Sequence, residues 1–263
     1  MRQAYDTDIT DEQWEILEPL LPPAKTRGRP RSVEMRDIIN ALFYILSAGC
    51  AWRLLPHDLP PWQTVYYYFR QWNQDQTWQR INDHLREGIR LTESREASPS
   101  AASLDSQSVK TGGLIEQDIG YDGGKKIKGR KRHQLVDTLG LLILVVVTAA
   151  NVTEYDGARA ILKQLNKKRR QFPRLCLIWV DGGYQGKDFM KWVMDSYRWV
   201  LEVIKRSDDI KGFVLLPRRW VVERTFGWMM WNRRLSKEYE RLTQTSESFI
   251  YIASIKIMLN RFA

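Results

Sequence analysis

Cysteine, histidine and long apolar runs are scarce here. The 263 residues carry two cysteines and three histidines. Cys50 and Cys176 form no CxxC spacing, and both sit in apolar stretches. They are expected as buried thiols of a reducing compartment. The longest apolar run, LGLLILVVVTAA at 139–150, has 12 residues, against the roughly 20 that a membrane-spanning helix needs. Its β-branched content marks a strand. The opening MRQAYDTDITDEQW has no apolar core of a signal peptide. No internal repeat and no long low-complexity tract appear. The expectation is a cytoplasmic, soluble protein with no membrane partner.

Charge is abundant and uneven. The formal net charge is +10. Residues 1–100 hold 12 Lys+Arg against 14 Asp+Glu, and residues 101–263 hold 29 against 17. The excess of +12 in the second part comes in runs, which points to a polyanion, with nucleic acid ahead of membrane.

The first part reads as helices. In TDEQWEILEPLLPP, Thr10 is an N-cap candidate and Pro22-Pro23 end the pattern. VEMRDIINALFYILSAG (33–49) is a helix with Gly49 as its stop. WQTVYYYFRQWNQDQTWQRINDHLREGIR gives one or two more. The aromatic helix carrying Arg70 resembles a helix-turn-helix arrangement, although Val65, Tyr68, Phe69 and Trp72 equally make a core stripe. TESREASPSAAS (92–103) has linker composition. Beyond it the order is β-β-β-α-β-α-β-α. RRWVVERTFGWMMWNRRLSKEYE is expected as one long helix, and SESFIYIASIKIMLNRF as a last helix serving as core or as a dimer face.

Three acids stand out. LIWVDGGYQG carries an apolar strand straight into Asp181, with two glycines behind it. Both alternating sets of that strand are apolar, so it is central and delivers Asp181 to the carboxyl edge of the sheet, where α/β proteins place their sites. A capping role in the following turn is the alternative. Asp105 ends a strand-like SLDSQSVK, and a buried acid there needs a cation or a partner. Glu223 lies in RRWVVERTFGW, with Arg219, Met230 and Arg234 within about 40° of it at 100° per residue. A Glu223–Arg219 ion pair is the plainer reading. Carboxylates converging from several elements can hold two divalent ions for in-line phosphoryl transfer.

On these pieces, together with GYDGGKKIKGRKRHQLVDTLGL and GCAWRLLPHDLPPWQTVYYYFRQW, the chain resembles the DDE transposases of the IS4/IS5 insertion-sequence group, IS5-type, over nearly its whole length. The resemblance implies an α/β fold, a ribonuclease-H-like mixed sheet flanked by helices, with an N-terminal all-helical domain. It implies a helical domain at 1–91 that binds DNA ends, a linker at 92–103 and a catalytic domain at 104–263. Asp105, Asp181 and Glu223 take the acidic triad, holding two Mg²⁺ or Mn²⁺ ions. The partner is double-stranded DNA, both element ends and target, and the complex is at least a homodimer.

The group's Tyr-x2-Arg-x3-Glu-x6-Lys signature keeps Arg219 and Glu223 but has Leu216 and Met230 at its ends. Arg233 and Arg234, expected on the same helix, substitute for the lysine, Arg234 with the better phase. KKIKGRKRH supplies Lys125, Lys126, Lys128, Arg130, Lys131 and Arg132 for phosphates. His133 either orients a phosphate or water or is a satisfied strand histidine. Trp228 and Trp231 read as core, with base stacking as the alternative. Two further functions fit the same residues: a non-catalytic DNA-binding relic, and a ribonuclease-H-like nuclease that cuts without joining.

Overall fold

The computed structural model describes residues 2–24, 31–112, 115, 117–204 and 217–262, with the side chains of Pro217 and Arg219 left out. Helices α1 (Asp11–Leu17), α2 (Met35–Ala48), α3 (Trp62–Gln74) and α4 (Thr77–Thr92) come first. Thr10 caps α1 in a reciprocal box with Gln13. Gly49 ends α2 at φ 71°, a left-handed conformation that favours glycine. Val65, Phe69 and Trp72 of α3 are buried, so that stripe is core.

The second part contains β1 (Ala101–Lys110), β2 (Gly120–Asp122), β3 (Ile127–Asp137), β4 (Leu142–Ala149), α5 (Glu154–Lys167), β5 (Leu177–Val180), α6 (Lys187–Tyr197), β6 (Val200–Val203), α7 (Pro217–Met230) and α8 (Thr243–Phe262). The sheet runs β2-β3-β1-β5-β6, and β4 shares the outer edge of β3 with β2. Pairing is antiparallel among β1 to β4 and parallel across β1, β5 and β6. This is the expected ribonuclease-H-like mixed sheet, with the short β2 added. The linker reaches less far than composition suggests, because Ala101, Ala102 and Ser103 already pair with β5.

Alternation sorts each strand onto two faces. Ala102, Leu104, Leu135, Leu144, Ile178 and Val180 join α5 and α6 in one core. Val136, Leu142, Val145, Val222, Phe226 and the buried face of α8 join α1 to α4 in another. The first ninety residues and the sheet therefore share one apolar core. Helix α8, with Phe249, Ile250, Ile252, Ile255, Met258 and Leu259 buried, is its centre rather than a dimer face. Polar ties reinforce the junction: Arg90 Nη1 lies 2.6 Å from Asp137 Oδ2, and Asn82 donates to the Leu142 carbonyl at 2.8 Å.

Two further expectations change. The long helix stops at Met230, and Arg233–Leu235 form a separate 3-10 turn. The chain then runs extended, so that Glu238 bridges Thr111 in parallel. Cys50 is half-buried and Cys176 is exposed rather than buried. Cys176 precedes β5, ahead of the stretch that the helices cover.

Two titratable groups are set by burial. His133 is fully buried, its Nε2 3.0 Å from Thr148 Oγ1. Its ring packs so closely on Gly157 that an added Cβ would fall 1.9 Å from Cε1. Burial, then the charge of Lys131, lowers its pKa from 6.5 to about 4. Glu247 of α8 accepts the outward amide of Val147 on edge strand β4 at 2.9 Å, and burial pushes its pKa from 4.5 up to about 7.

The two act on stability with opposite sign. Between about pH 4 and 6.5 the unfolded chain holds the His133 proton and the folded chain does not, so stability rises with pH there. Between 4.5 and about 7 the folded chain holds the Glu247 proton, so stability falls as pH rises. Each shift corresponds to something on the order of 3 kcal/mol. Urea denaturation should show Glu247→Gln gaining on the parent as pH climbs through that window. A difference that stays constant across it would refute the buried-acid assignment.

Candidate active site

The parallel register of β1 and β5 places the first two acids. Ala101 pairs with Leu177, Ala102 with Ile178 and Ser103 with Trp179. The same count, carried two residues further along both chains, sets Asp105 level with Asp181. Neighbouring strands lie about 4.8 Å apart. Both acids belong to the odd-numbered set that faces α7, opposite Ala102, Leu104, Ile178 and Val180. Both are half-buried. Asp105 Oδ1 accepts from the Ser106 amide at 2.6 Å. Asp181 caps the 3-10 turn Gly182–Tyr184, accepting from the Gly183 amide at 2.9 Å. The capping alternative and the sheet-edge position are thus both true. Open space surrounds the Cβ position of Gly182.

The field of this pair is felt nearby. Tyr184, from the same turn, is fully buried. Burial first, then the negative charges of Asp105 and Asp181, hold its phenol well above its ordinary pKa. On the opposite face of the sheet, Lys131 Nζ stands 3.0 Å from Glu154 Oε1 and 3.6 Å from Asp122 Oδ2. Burial raises the Glu154 pKa, but the hydrogen bond from Lys131 outweighs it with other contacts and the net shift is downward. Asp122, Glu154 and Tyr184 escaped sequence reasoning, since an acid in a hairpin or a first helical turn looks ordinary.

Glu223 lies on α7, which packs across β1, β3 and β5. Val222, Phe226 and Met229 face the core, and Met229 Sδ is 3.3 Å from Nε2 of Gln134, the residue paired with Asp105. Glu223 itself is exposed. Among the described residues no three His, Cys, Asp or Glu side chains converge closely enough to enclose a metal ion. Two hard carboxylates side by side, with their combined field, suit a divalent cation. The third acid is on α7, which contacts β1 and β5. Leu216 and the Arg219 side chain lie outside the described residues.

The basic tract divides. Lys125, Lys126 and Lys128 are exposed on the β2–β3 hairpin, and Lys125 Nζ reaches the Ser106 carbonyl beside Asp105 at 3.1 Å. From Gly129 the chain enters the middle of the sheet, and a Cβ there would meet the Val109 carbonyl at 2.0 Å. Arg130, Lys131, Arg132 and His133 are all buried. Arg130 donates to the Glu240 and Arg241 carbonyls at 2.8 and 2.7 Å. Arg132 donates to the Leu235 carbonyl at 2.8 Å and meets Glu238 at 3.3 Å. A phosphate on the surface of this fold reaches none of the four. Arg234 is likewise turned inward, 2.6 Å from Glu240 and 2.8 Å from the Cys50 carbonyl, because the end of α7 removes the helical phase that was to aim it at Glu223. Arg233 is exposed. Trp228 lies between Arg224 and Arg261, and Trp231 is 81% exposed rather than core.

A mixed sheet flanked by helices, with Asp105 on β1, Asp181 just past β5 and Glu223 on the crossing helix, is a ribonuclease-H-like arrangement. The chain belongs to the DDE transposase family, of IS4/IS5 type. Residues 96–257 match the family described as "Transposase DDE domain", and residues 9–82 match "Putative transposase of IS4/5 family". Two curated relatives come from Burkholderia cepacia. An uncharacterized 16.2 kDa protein of insertion element IS402 is 30% identical over 111 residues, covering 40% of this chain and 74% of that protein. A putative transposase for insertion sequence element IS402 is 28% identical over 138 residues, covering 50% of this chain and 64%, under two thirds, of that protein. No helix among the described residues is long and apolar enough to cross a membrane.

Glu238 holds the inward arginines together, and Ser246 donates to it at 2.8 Å. Removing one side of a buried ion pair leaves an uncompensated charge. Glu238→Ala should therefore cost about 3–5 kcal/mol in urea denaturation, against less than about 0.5 kcal/mol for Lys126→Ala on the hairpin. Equal costs would show that the buried cluster is not what joins β3 to the C-terminal segment.

Proposed function

We propose that this chain is a transposase that binds insertion-sequence ends, cuts a DNA strand there and joins it to a target by in-line phosphoryl transfer. The observation that carries this reading is the parallel register of β1 and β5, whose last pair, Ser103 with Trp179, stands two residues before Asp105 and Asp181. Asp105 and Asp181, with Glu223 added from α7, would hold Mg²⁺ or Mn²⁺, two ions in the full site, which would supply activation of the attacking hydroxyl or water and stabilisation of the departing oxygen. In cleavage a water oxygen bonds to phosphorus as the 3′ oxygen leaves. In joining, the freed 3′-hydroxyl attacks a target phosphodiester in the same sense.

The protein's own side chains supply position and charge. Lys125, Lys126 and Lys128 neutralise phosphates beside Asp105, and Arg219 and Arg233 have the same role. The helical first part holds the element end, and two copies of the chain bring two ends together. Such a protein acts on DNA in the cytoplasm. The buried Arg130, Lys131, Arg132 and His133 shape the strand instead of contacting DNA.

Nicking and strand-transfer assays on DNA carrying the element's own ends, with Mg²⁺ or Mn²⁺, test this. Asp181→Asn should reduce both activities to background while DNA binding persists. Replacing Lys125, Lys126 and Lys128 by alanine should lower the slope of log affinity against log salt by up to roughly 2.7, about 0.9 for each phosphate left without its lysine. Cutting without joining would replace the transposase reading with a nuclease. Binding without chemistry in the parent would mark a DNA-binding relic.

A further inference from the structure

Two stretches remain without a role. QWNQDQTWQR (71–80) holds five carboxamides in ten residues, and NKKRRQFPR (166–174) holds five basic residues in nine. The fold sets them face to face. The α3–α4 turn forms one wall of a cleft of about 830 Å³, the last turn of α5 and the segment after it form the other, and the first turns of α8 form the floor. Seven of the fourteen lining residues are Asn or Gln. Gln76, at the turn, adopts φ 60°. Trp78 lines the cleft at 2% exposure, and its indole N–H has no hydrogen-bond partner. Lys167 and Lys168 stand on the far wall, with Arg170 exposed just beyond.

The chemistry of the walls narrows the occupant. An apolar ligand would desolvate carboxamides and leave them unpaired. A simple anion would satisfy their N–H groups and the lysines but face their carbonyl oxygens and Glu247. A nucleotide satisfies both kinds of group. Base edges alternate donors and acceptors, which Asn and Gln tips match in pairs, and the phosphate suits Lys167. The volume falls in the range of small-ligand pockets, too small for a duplex. Helix α5 also ties this place to the acidic pair. Its first residue, Glu154, lies beside Gly183, and its last, Lys167, lines the cleft, about 20 Å away along the axis.

We propose that the cleft between the α3–α4 turn and the end of α5 is a second nucleic-acid site, which takes an unpaired nucleotide of a DNA strand with its base on the carboxamide wall. The proposal rests on DNA being the partner, but its test needs no catalysis. Full-length protein in EDTA is titrated with single-stranded hexanucleotides of each base, with a duplex of the same length and with inorganic phosphate. Gln74→Ala with Gln76→Ala should weaken single-strand binding about tenfold and flatten any base preference. Lys167→Ala should weaken all hexanucleotides alike and lower the salt slope by about 0.7. A photoreactive base in the hexanucleotide should crosslink within 72–79 or 164–171. Crosslinks confined to the lysine hairpin, unchanged affinity in both variants, or phosphate competing as well as the hexanucleotides would each overturn the proposal. Failure of nicking with intact crosslinking would count against the transposase chemistry and leave this site standing.

Discussion

The parallel pairing of β1 with β5 is the constraint on which the site depends. Partners along it stand 76 positions apart in sequence, from Ala101 and Leu177 onward, and Asp105 and Asp181 keep that offset. The aspartates do not set this register. Ala102, Leu104, Ile178 and Val180 do, because all four must enter the core beneath α5 and α6. A slip of one residue would turn every side chain of β5 to the other face. Apolar burial, not the acids, therefore fixes which residues of β1 and β5 stand side by side.

The basic tract shows how the same alternation hides charge. β3 is flanked by β1 on one side and by β4 and β2 on the other, with helices on both faces, so from Arg130 on its polar side chains have no route to water. Arg130 and Arg132 share a face and meet Glu238 at 3.7 and 3.3 Å, and Glu240 takes Arg234. Two arginines two residues apart on one extended segment are thus answered by one glutamate on another, Glu238, while Glu240, two residues on, is taken by Arg234. Desolvation raises the Glu240 pKa, and Arg234 works against it. What looks like a DNA-binding run from residue 125 is, from residue 130 on, a seam that fastens the C-terminal segment to the sheet.

That seam separates what was legible in the sequence from what was not. Local signals carried the elements: the cap at Thr10, the stop at Gly49 and the apolar strands all fall where the structure has them. Asp181 was legible for the same reason, since it follows a short strand whose alternation is plain, whereas the strand expected to end near Asp105 runs on to Lys110. Glu238 and Glu240 were misread because SKEYE has the composition of an exposed helix, and only contact with β3 makes it extended. Glu247 and His133 were beyond reach, because their environments are built by β4, α5 and α8 together. Trp231 failed for the opposite cause: a tryptophan one step past a helix end has no face to be buried against.

The turn between β3 and β4 then links the parts. Asp137 accepts from the Leu139 and Leu141 amides at 2.9 Å each and from Arg90 of α4. Across the turn, Arg224 donates to the Leu139 carbonyl at 3.0 Å and Thr225 to the Gly140 carbonyl at 2.8 Å. Gly140, at φ 83°, leaves the space in which Thr225 sits, since a Cβ there would lie 2.9 Å from its hydroxyl. One five-residue turn thus seats both the last helix of the N-terminal part and the helix that carries Glu223. Residues 224 and 225 follow Glu223 directly, so the placement of that part of α7 is set through the turn that α4 grips. A shift of α4 that pulled Arg90 from Asp137 would loosen the seat of α7 before it disturbed the β1–β5 register.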